Sequence, residues 1–364
     1  MHTANLKQLR ISFPHIGDYH IFFRSLVEMT GCEVVPPPTI TRRTLELGSR
    51  YAPDTACVPF KYNLGNYLEA LELGANAFCT AVGGCRAEYY FEVHRQILAD
   101  LGHDVTFLRL SQQGLYADLR RFNPRLAYVE FVRRYWLELR KLHLLDSLAD
   151  ELRKRRGFEL VAGAFSDFWQ HFLARLSRVR THGAMGGFAR AARCELLAIP
   201  IDRPPQRLRV GIIGELFVVM EPFSNFRIEE QLARMGVEVH RWVTASSILH
   251  HGVNGARAGK QLQRMAAPYA RYHVGAHGTE SIARLQQMIR QGFDGAIHLK
   301  PFACMPEINA MPALRRMSQE HRFPLITLSF DSHTAEAGVL TRLEAFYDMI
   351  SQKRQGGVPC GSAI

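Results

Sequence analysis

The sequence predicts an α/β protein with two Rossmann-like (flavodoxin-like) α/β/α lobes and a helical insertion. Near the N-terminus, strand patterns at residues 9–14 and 32–35 enclose a helical apolar pattern. The same alternation returns at residues 208–214 and 237–239, around a helix that stops at Gly236. Because strand–helix–strand units pair their strands in parallel, these two stretches predict two parallel sheets.

Further elements follow from the same alternation along each lobe. After a loop that contains Cys57, a helix is expected from near Tyr62 through Leu73, followed by a strand at residues 77–79. A second helix ends at Leu101 and leads into a strand at residues 105–108. In the second lobe, the pattern predicts two further strands, at residues 295–299 and 324–328.

Domain boundaries follow from a change in composition. Residues 112–206 are expected to form a helical insertion and linker, because most of them are Leu, Arg, Ala and aromatic residues with a period near 3.6, followed by prolines. The first lobe then occupies residues 1–111 and the second residues 207–350. A flexible tail is expected at residues 351–364.

Composition indicates a large core and a cytoplasmic location. The 364 residues are 47% hydrophobic, and no apolar run reaches the roughly 20 residues of a membrane span. The polar N-terminus has no signal-peptide pattern, so we expect no membrane association. Seven cysteines are too few for a disulfide scaffold, and cytosolic thiols stay reduced. For each cysteine, metal binding therefore competes with simple burial.

The net charge of +11 is scattered over short Arg and Lys clusters on helical stretches. No nucleic-acid motif accompanies these clusters, so we expect no nucleic-acid partner. Solvated helix faces are the main interpretation. The alternative is attraction of an acidic partner or of a phosphate-bearing ligand such as a coenzyme A ester.

Three cysteines occupy positions suited to a metal cluster. Cys57, Cys85 and Cys304 each lie at a predicted strand-to-helix junction flanked by Gly or Pro. Such junctions meet at the ligand-facing edge of a parallel sheet. Three thiolates are one short of the usual four ligands of an iron–sulfur cluster, so one iron would remain open. The competing interpretation of each thiol is a small buried hydrophobe.

Neighbouring residues add candidate roles. Gly84, before Cys85, allows close approach of the backbone to a ligand. Arg86 is a candidate anion ligand or a surface ion-pair partner. Glu307 is interpreted either as an acid–base group or, preferably, as a cap of its helix. Cys79 is interpreted as a core residue that lies close enough to serve as a substitute ligand.

Other features are assigned little chemistry. Cys32 and Cys194 are expected in the core, and Cys360 in the tail. Residues 272–280 are predicted to form a connecting loop before a helix. The alternative is that this loop contacts a ligand. Residues 211–215 match only part of a dinucleotide fingerprint, and no phosphate-binding loop with Gly-Lys-Ser/Thr occurs, so nicotinamide binding and ATP hydrolysis are not expected.

Four segments resemble the 2-hydroxyacyl-CoA dehydratase component D family, including its activase-related and double-cubane-cluster relatives. Together they are spread over nearly the whole chain outside the helical insertion. The last two are long and quite specific. The four segments are residues 57–66, 84–90, 301–308 and 331–346.

The resemblance implies two lobes with a [4Fe–4S] cluster, or a larger double-cubane cluster, in the cleft between them. Cys57, Cys85 and Cys304 would be the metal ligands. The implied partner is an ATP-hydrolysing activator with its own iron–sulfur cluster, which donates a low-potential electron. The implied reaction is radical dehydration of a 2-hydroxyacyl-CoA, or reduction of a small molecule, in an oxygen-sensitive protein.

Within that resemblance, Glu307 and Lys61 are the catalytic candidates, and Arg86 and Gly84 the candidates for binding cofactor or substrate. We also expect the chain to form a homo- or hetero-dimer. Val82 stands where relatives often carry an additional cysteine, which favours a single [4Fe–4S] cluster. Two alternatives remain open, namely a non-catalytic electron-transfer subunit with the same cluster and a metal-free module that binds an anionic ligand.

Overall fold

The computed structural model of this chain describes four stretches of backbone, residues 9–81, 89–111, 114–253 and 255–356. Helices and strands alternate along both ends of the chain, as the hydrophobic pattern predicts. Within those stretches, none of the helices combines the length and the apolarity needed to span a bilayer.

The chain divides into two compact units. Each contains one four-stranded parallel sheet among helices, which confirms the predicted mixed α/β architecture with two parallel sheets. Unit 1 comprises Met1–Leu145 and Leu173–Ala189, and unit 2 comprises Asp146–Phe172 and Arg190–Ile364.

Unit 1 is built around short strands and the helices between them. The strands predicted near residues 77–79 and 105–108 are confirmed. In chain order, the elements are β1 (Arg10–Ser12), α1 (His20–Glu28), β2 (Glu33–Val34), α2 (Arg42–Tyr51), α3 (Val58–Glu72), β3 (Ala77–Ala81), α4 (Tyr90–Asp100), β4 (Thr106–Leu110) and α5 (Leu115–Phe122). The sheet order is β2-β1-β3-β4, with every neighbouring pair parallel.

Three longer helices follow where the sequence predicts a helical segment. They are α6 (Tyr128–Arg155), α7 (Ala164–Leu176) and α8 (His182–Ala198). The 28-residue helix α6 continues from unit 1 into unit 2. The three helices therefore contribute to both units rather than to one of them alone.

Unit 2 repeats the strand arrangement of unit 1. Its sheet order is second-first-third-fourth, again with parallel neighbours. The strands predicted at residues 295–299 and 324–328 are confirmed. In chain order, the elements are β5 (Arg209–Gly214), α9 (Leu216–Met220), α10 (Ile228–Arg234), β6 (Glu238–Arg241), α11 (Ala245–Val253), α12 (Gly255–Ala266), α13 (Gly278–Arg290), β7 (Gly295–Pro301), α14 (Met305–Glu320), β8 (Leu325–Phe330) and α15 (Glu336–Gly356).

Both sheets reverse their strand order beside the first strand. In unit 2, β6 pairs with one edge of β5 and β7 with the other. Parallel sheets bind ligands outside the carboxyl ends of the strands at such a reversal. All seven residues of β7 are buried, so this strand places the segment that follows it on a rigid support. We therefore expect a ligand site among the residues that follow β3, β5 and β7.

Helix α2 was not expected from the sequence. The Thr41 side chain accepts a hydrogen bond from the N–H of Thr44, and the Thr44 hydroxyl accepts one from the N–H of Thr41. This is a capping box, but a threonine closes it in place of the Glu or Gln that usually signals one. The helix start was missed for that reason.

The chain end also differs from expectation, because α15 includes residues 351–356 of the expected tail. Lys353 donates a hydrogen bond to the carbonyl of Arg322, and Arg354 pairs with Asp294. These contacts hold the last helical turn against unit 2. Residues 357–364 lie outside the described part of the chain.

Helices α2 and α3 pack in backbone contact through two glycines. A Cβ atom added at Gly65 would lie 1.8 Å from the carbonyl oxygen of Thr44, and one added at Gly48 would lie 1.7 Å from that of Lys61. No side chain fits at either position, because real Cβ atoms do not approach backbone oxygens so closely. The contact fixes α3, and with it the start of α3 at Cys57.

Substitution of Gly65 by alanine should destabilise unit 1 by about 1–3 kcal/mol, since the added methyl group forces two backbones apart. Gly187→Ala is the matched control, because Gly187 lies within α8 and a Cβ there meets no atom within 4 Å. The control should gain up to about 1 kcal/mol from helix propensity. Urea unfolding followed by circular dichroism measures both, and equal midpoints for the two variants would contradict the packing.

Candidate functional site

Cys57 occupies the N-cap position of α3, and Pro59 stands in the first turn. Its half-buried thiol lies with Sγ 2.9 Å from the hydroxyl oxygen of Tyr90. Tyr90 begins α4, the helix that follows the segment containing Cys85. The positive end of the α3 dipole favours a thiolate at this position.

Aromatic packing holds the starts of α3 and α4 together. The Phe60 ring lies 4.9 Å from the Tyr90 ring and 4.0 Å from the His94 ring, centroid to centroid. His94 is 1% exposed, and its Nε2 lies 3.1 Å from the Phe60 carbonyl oxygen. Burial lowers the pKa of His94 to about 4, although the carbonyl opposes this shift. His94 is therefore neutral at pH 7 and donates to Phe60.

The structure describes only some of the other predicted site residues of unit 1. Lys61 lies one helical turn after Cys57 and is 8% exposed. The spacing of four residues places both on one side of α3. Cys85, Gly84 and Arg86 belong to residues 82–88, which lie outside the described part of the chain. Their roles as ligand and as ligand-binding groups stay predictions.

The remaining cysteines differ in accessibility. Cys79 lies in β3 and is 5% exposed, and burial raises the pKa of its thiol to about 12. It is therefore a protonated core residue at neutral pH. Cys194 was expected in the core, but it is exposed, because it lies on an outward position of α8. Cys32 is half-buried, and Cys360 lies outside the described residues.

In unit 2, Cys304 follows β7 and occupies the N-cap position of α14. Its thiol is half-buried. The ammonium group of Lys300, on the same strand end, is close enough to interact electrostatically with Cys304 and Glu307. Burial lowers the pKa of Lys300, and these two groups oppose the shift. A thiol, an amine and a carboxylate thus meet at the carboxyl end of the central strand.

Glu307 lies in the first turn of α14 and is completely buried. Its Oε2 accepts a hydrogen bond from Ser281 Oγ at 2.9 Å and lies 2.8 Å from Nε2 of His298. Its Oε1 is buried without a hydrogen-bond partner. The carboxylate therefore bonds to α13 and β7 and not to its own backbone, while its place in the first turn keeps it near the positive end of the α14 dipole. Its roles as acid–base group and as helix cap both stay predictions.

Two further carboxylates and a histidine extend this cluster. Glu215, directly after β5, accepts hydrogen bonds from the N–H groups of Phe217 and Val218, both at 3.0 Å. Burial raises the pKa of Glu215, and those bonds and the nearby His277 oppose the shift. His277 Nδ1 lies 3.3 Å from Glu280 Oε2. Burial works against the charged form of His277, but Glu280 and the nearby Glu307 and Glu215 raise its pKa overall.

Close backbone contacts hold this cluster in shape. A Cβ atom added at Gly278 would lie 2.4 Å from the carbonyl oxygen of Pro306, so the starts of α13 and α14 touch. One added at Gly214 would lie 1.8 Å from the carbonyl oxygen of Leu299, where β5 and β7 end together. The name polar cluster is used below for Glu215, His277, Glu280, Ser281, His298, Lys300, Cys304 and Glu307.

The polar cluster offers acid–base chemistry beside one soft ligand. Glu215, His277 and Lys300 have shifted pKa values, and groups of this kind transfer protons or bind anions in enzyme sites. Across the described residues, no three or more His, Cys, Asp and Glu side chains form a group able to hold a metal ion. Cys57 and Cys304 each supply one thiol within their own unit.

Sequence reasoning missed several members of the polar cluster. His298 lies in a continuous apolar strand, and its partner Glu307 is nine residues away. Ser281 and Glu280 stand in the first turn of α13, 26 or more residues before Glu307. The usable signal was position, because Glu280 and Ser281 begin a helix and His298 lies within a strand whose carboxyl end faces the same edge of the sheet.

The pKa values of His277 and His94 should be shifted in opposite directions from the ordinary value for histidine. In two-dimensional NMR of the imidazole groups, His277 should titrate above 6.5 and His94 near 4. The contribution of His277 to stability is therefore present below pH 6.5 and lost as the pH rises through its folded pKa. That of His94 is present above pH 6.5 and lost as the pH falls towards about 4.

Substitution of Glu280 tests the cause of the raised pKa of His277. Glu280→Gln should lower the pKa of His277, because the variant loses the bonded negative charge, and should leave His94 unchanged. A His277 pKa that stays constant in Glu280→Gln would contradict the assigned cause.

Thiol reactivity should separate the cysteines of the iron-free protein. With iodoacetamide under native conditions, the N-cap residues Cys57 and Cys304 should be alkylated at rates comparable to or above that of exposed Cys194. Cys79 should react at least about tenfold more slowly, because it is buried and protonated. Peptide mass spectrometry after timed quenching measures each rate. Fast labelling of Cys79 would contradict its burial.

Comparison of the sequence with protein-family models and with curated proteins gave no match. The likeness to the dehydratase family therefore rests on the four sequence segments alone. The geometry of the polar cluster is independent of that likeness.

Proposed function

We propose that this chain is an iron–sulfur protein of the 2-hydroxyacyl-CoA dehydratase type. It receives a low-potential electron from an ATP-dependent activator and acts in the dehydration or reduction of a small or CoA-linked substrate. The observation that carries the proposal is the Cys304 site, where a thiol, a lysine and a buried carboxylate lie at the end of the central strand. Cys304 and Glu307 of this site fall within the segment 301–308 that resembles the late cysteine motif of the family.

The donor set fits the proposed cluster in kind. Cys57 and Cys304 are half-buried thiols at helix N-termini, and thiolates are the usual ligands of iron–sulfur clusters. Cys79 fits poorly, since its raised pKa of about 12 keeps it protonated. With Cys85 as the third predicted ligand, this supports a single [4Fe–4S] cluster over a double-cubane cluster.

A bound cluster supplies an electron and a Lewis-acidic iron. The residues of this chain do the rest. The Lys300 ammonium attracts an anionic group to the carboxyl end of β7, beside Cys304. The Oε1 of Glu307 has no protein partner and holds or accepts a proton there, while His298 and Ser281 fix the orientation of the carboxylate. Lys61 is assigned a catalytic role with Glu307, and Arg86 and Gly84 are assigned to binding of cofactor or substrate.

Iron and acid-labile sulfide, measured on anaerobically purified protein, test the cluster directly. We expect about four of each per chain, because a single cubane has that composition. Cys304→Ser should lose most of the iron and the visible absorption. Cys194→Ser, which removes an exposed thiol on α8, is the matched control and should keep both.

Three results would count against this proposal. An iron-free protein after anaerobic reconstitution, still folded, would leave a metal-free anion-binding module. About eight irons per chain would require a larger cluster and further ligands. An unchanged spectrum in Cys304→Ser would remove that residue from the ligand set.

The remaining elements of the proposal are the partner, the assembly and the location. We assign an ATP-hydrolysing activator with its own iron–sulfur cluster as electron donor, a homo- or hetero-dimeric state and a cytoplasmic location. ATP-dependent reduction of the cluster with and without a 2-hydroxyacyl-CoA separates an enzyme from an electron-transfer subunit. Only an enzyme consumes the acyl-CoA.

A further inference from the structure

Unit 2 contains a long stretch without any acidic residue. Residues 239–279 include no Asp or Glu, although the chain has 34 of them. The stretch carries five Arg or Lys residues. Among these five residues, Arg241 forms an ion pair with the carboxylate of Glu229 at 2.9 Å. The positive charge of this stretch is therefore concentrated on its other cations.

Helix α12 displays three of these cations on one face. Arg257, Lys260 and Arg264 are spaced by three and four residues, which places them on one side of a helix. All three are exposed, while Leu262 and Met265 on the opposite side pack against the core of unit 2. At about 1.5 Å per residue, the three cations extend over about 10 Å.

None of the three cations has a carboxylate partner among the residues that the structure describes. Several other exposed arginines of the chain do have one, such as Arg42, which lies 2.9 Å from Glu46. An unpaired cluster of like charges repels itself and costs stability. An external anion bound at these side chains would relieve that repulsion.

An exposed aromatic residue lies close by in the chain. Tyr272 is 74% exposed, and the Arg271 guanidinium lies 5.6 Å from its ring centroid. Gln263 of α12 donates hydrogen bonds to the carbonyls of Ala270 and Arg271, which ties this segment to the helix. Tyr and Arg are the residues most enriched at the centres of protein interfaces.

We propose that this surface, the basic face, binds the acidic surface of a partner protein. The basic face comprises Arg257, Lys260, Arg264, Arg271 and Tyr272. It consists of exposed side chains of α12 and of the segment that follows this helix. Its four cations neutralise fewer phosphates than the roughly six to ten contacts of a strongly salt-dependent DNA binder. An acidic protein surface matches its size, its charge and its exposed tyrosine.

The proposal goes beyond the iron–sulfur function and does not depend on it. The segment from Tyr272 continues within unit 2 to His277, the N-cap of α13 and a member of the polar cluster. A partner that contacts Tyr272 therefore binds a segment that leads, within a few residues, to the polar cluster.

Fluorescence anisotropy with a fluorescein-labelled deca-glutamate peptide tests the basic face on the full chain. Arg257→Gln/Lys260→Gln/Arg264→Gln should weaken binding at least about tenfold, since three unpaired charges are lost. The matched control is Arg24→Gln/Arg42→Gln/Arg95→Gln, in which each arginine pairs with a glutamate on its own helix. It also removes three charges from +11 and should weaken binding less than about twofold.

Tyr272→Ala supplies a second test that leaves the charge unchanged and should weaken binding about threefold or more. Circular dichroism confirms that each variant is folded. Equal weakening by the two triple variants would overturn the proposal, because net charge alone would then explain binding. Tighter binding of a 20-nucleotide single-stranded DNA than of the peptide, lost in the basic-face variant, would overturn it in favour of nucleic acid.

Discussion

The reversal of strand order beside β5 is the constraint that places the polar cluster. Because β6 and β7 pair with opposite edges of β5, the connections leave this strand in different directions. The carboxyl ends of β5 and β7 are then left together and open. Gly214 permits their close approach, since a Cβ there would lie 1.8 Å from the Leu299 oxygen. Glu215 and Lys300 reach the same edge for this reason.

Glu307 is the group in this cluster that folding alone explains least. A fully buried carboxylate with one unpartnered oxygen costs free energy, because that oxygen loses its bonds to water. His298 and Ser281 offset part of this cost at the other oxygen. An apolar residue would fill the same helix position without such a cost. Buried groups that break a local rule in this way concentrate at functional sites.

The sequence was sufficient for features that depend on local pattern. The strand at residues 295–299 is marked by a continuous apolar run, and Cys304 by its place after that run. Features that depend on residues far apart in the sequence could not be predicted from it. The bond between Ser281 and Glu307 joins two helix starts 26 residues apart, and no periodicity encodes it. Helix α2 was missed because its capping box uses an unusual residue.

The likeness of strand order between the two units bears on the number of thiols. In each unit, one helix leads into the third strand, and its N-cap is Cys57 in unit 1 and His277 in unit 2. A cysteine also follows each third strand, Cys85 in one unit and Cys304 in the other. His277 thus stands in unit 2 at the N-cap that Cys57 occupies in unit 1. Metal-bound histidine must be neutral, whereas Glu280, Glu307 and Glu215 favour the protonated form of His277. The strand arrangement therefore recurs with a proton-binding imidazole at this N-cap in place of a thiol.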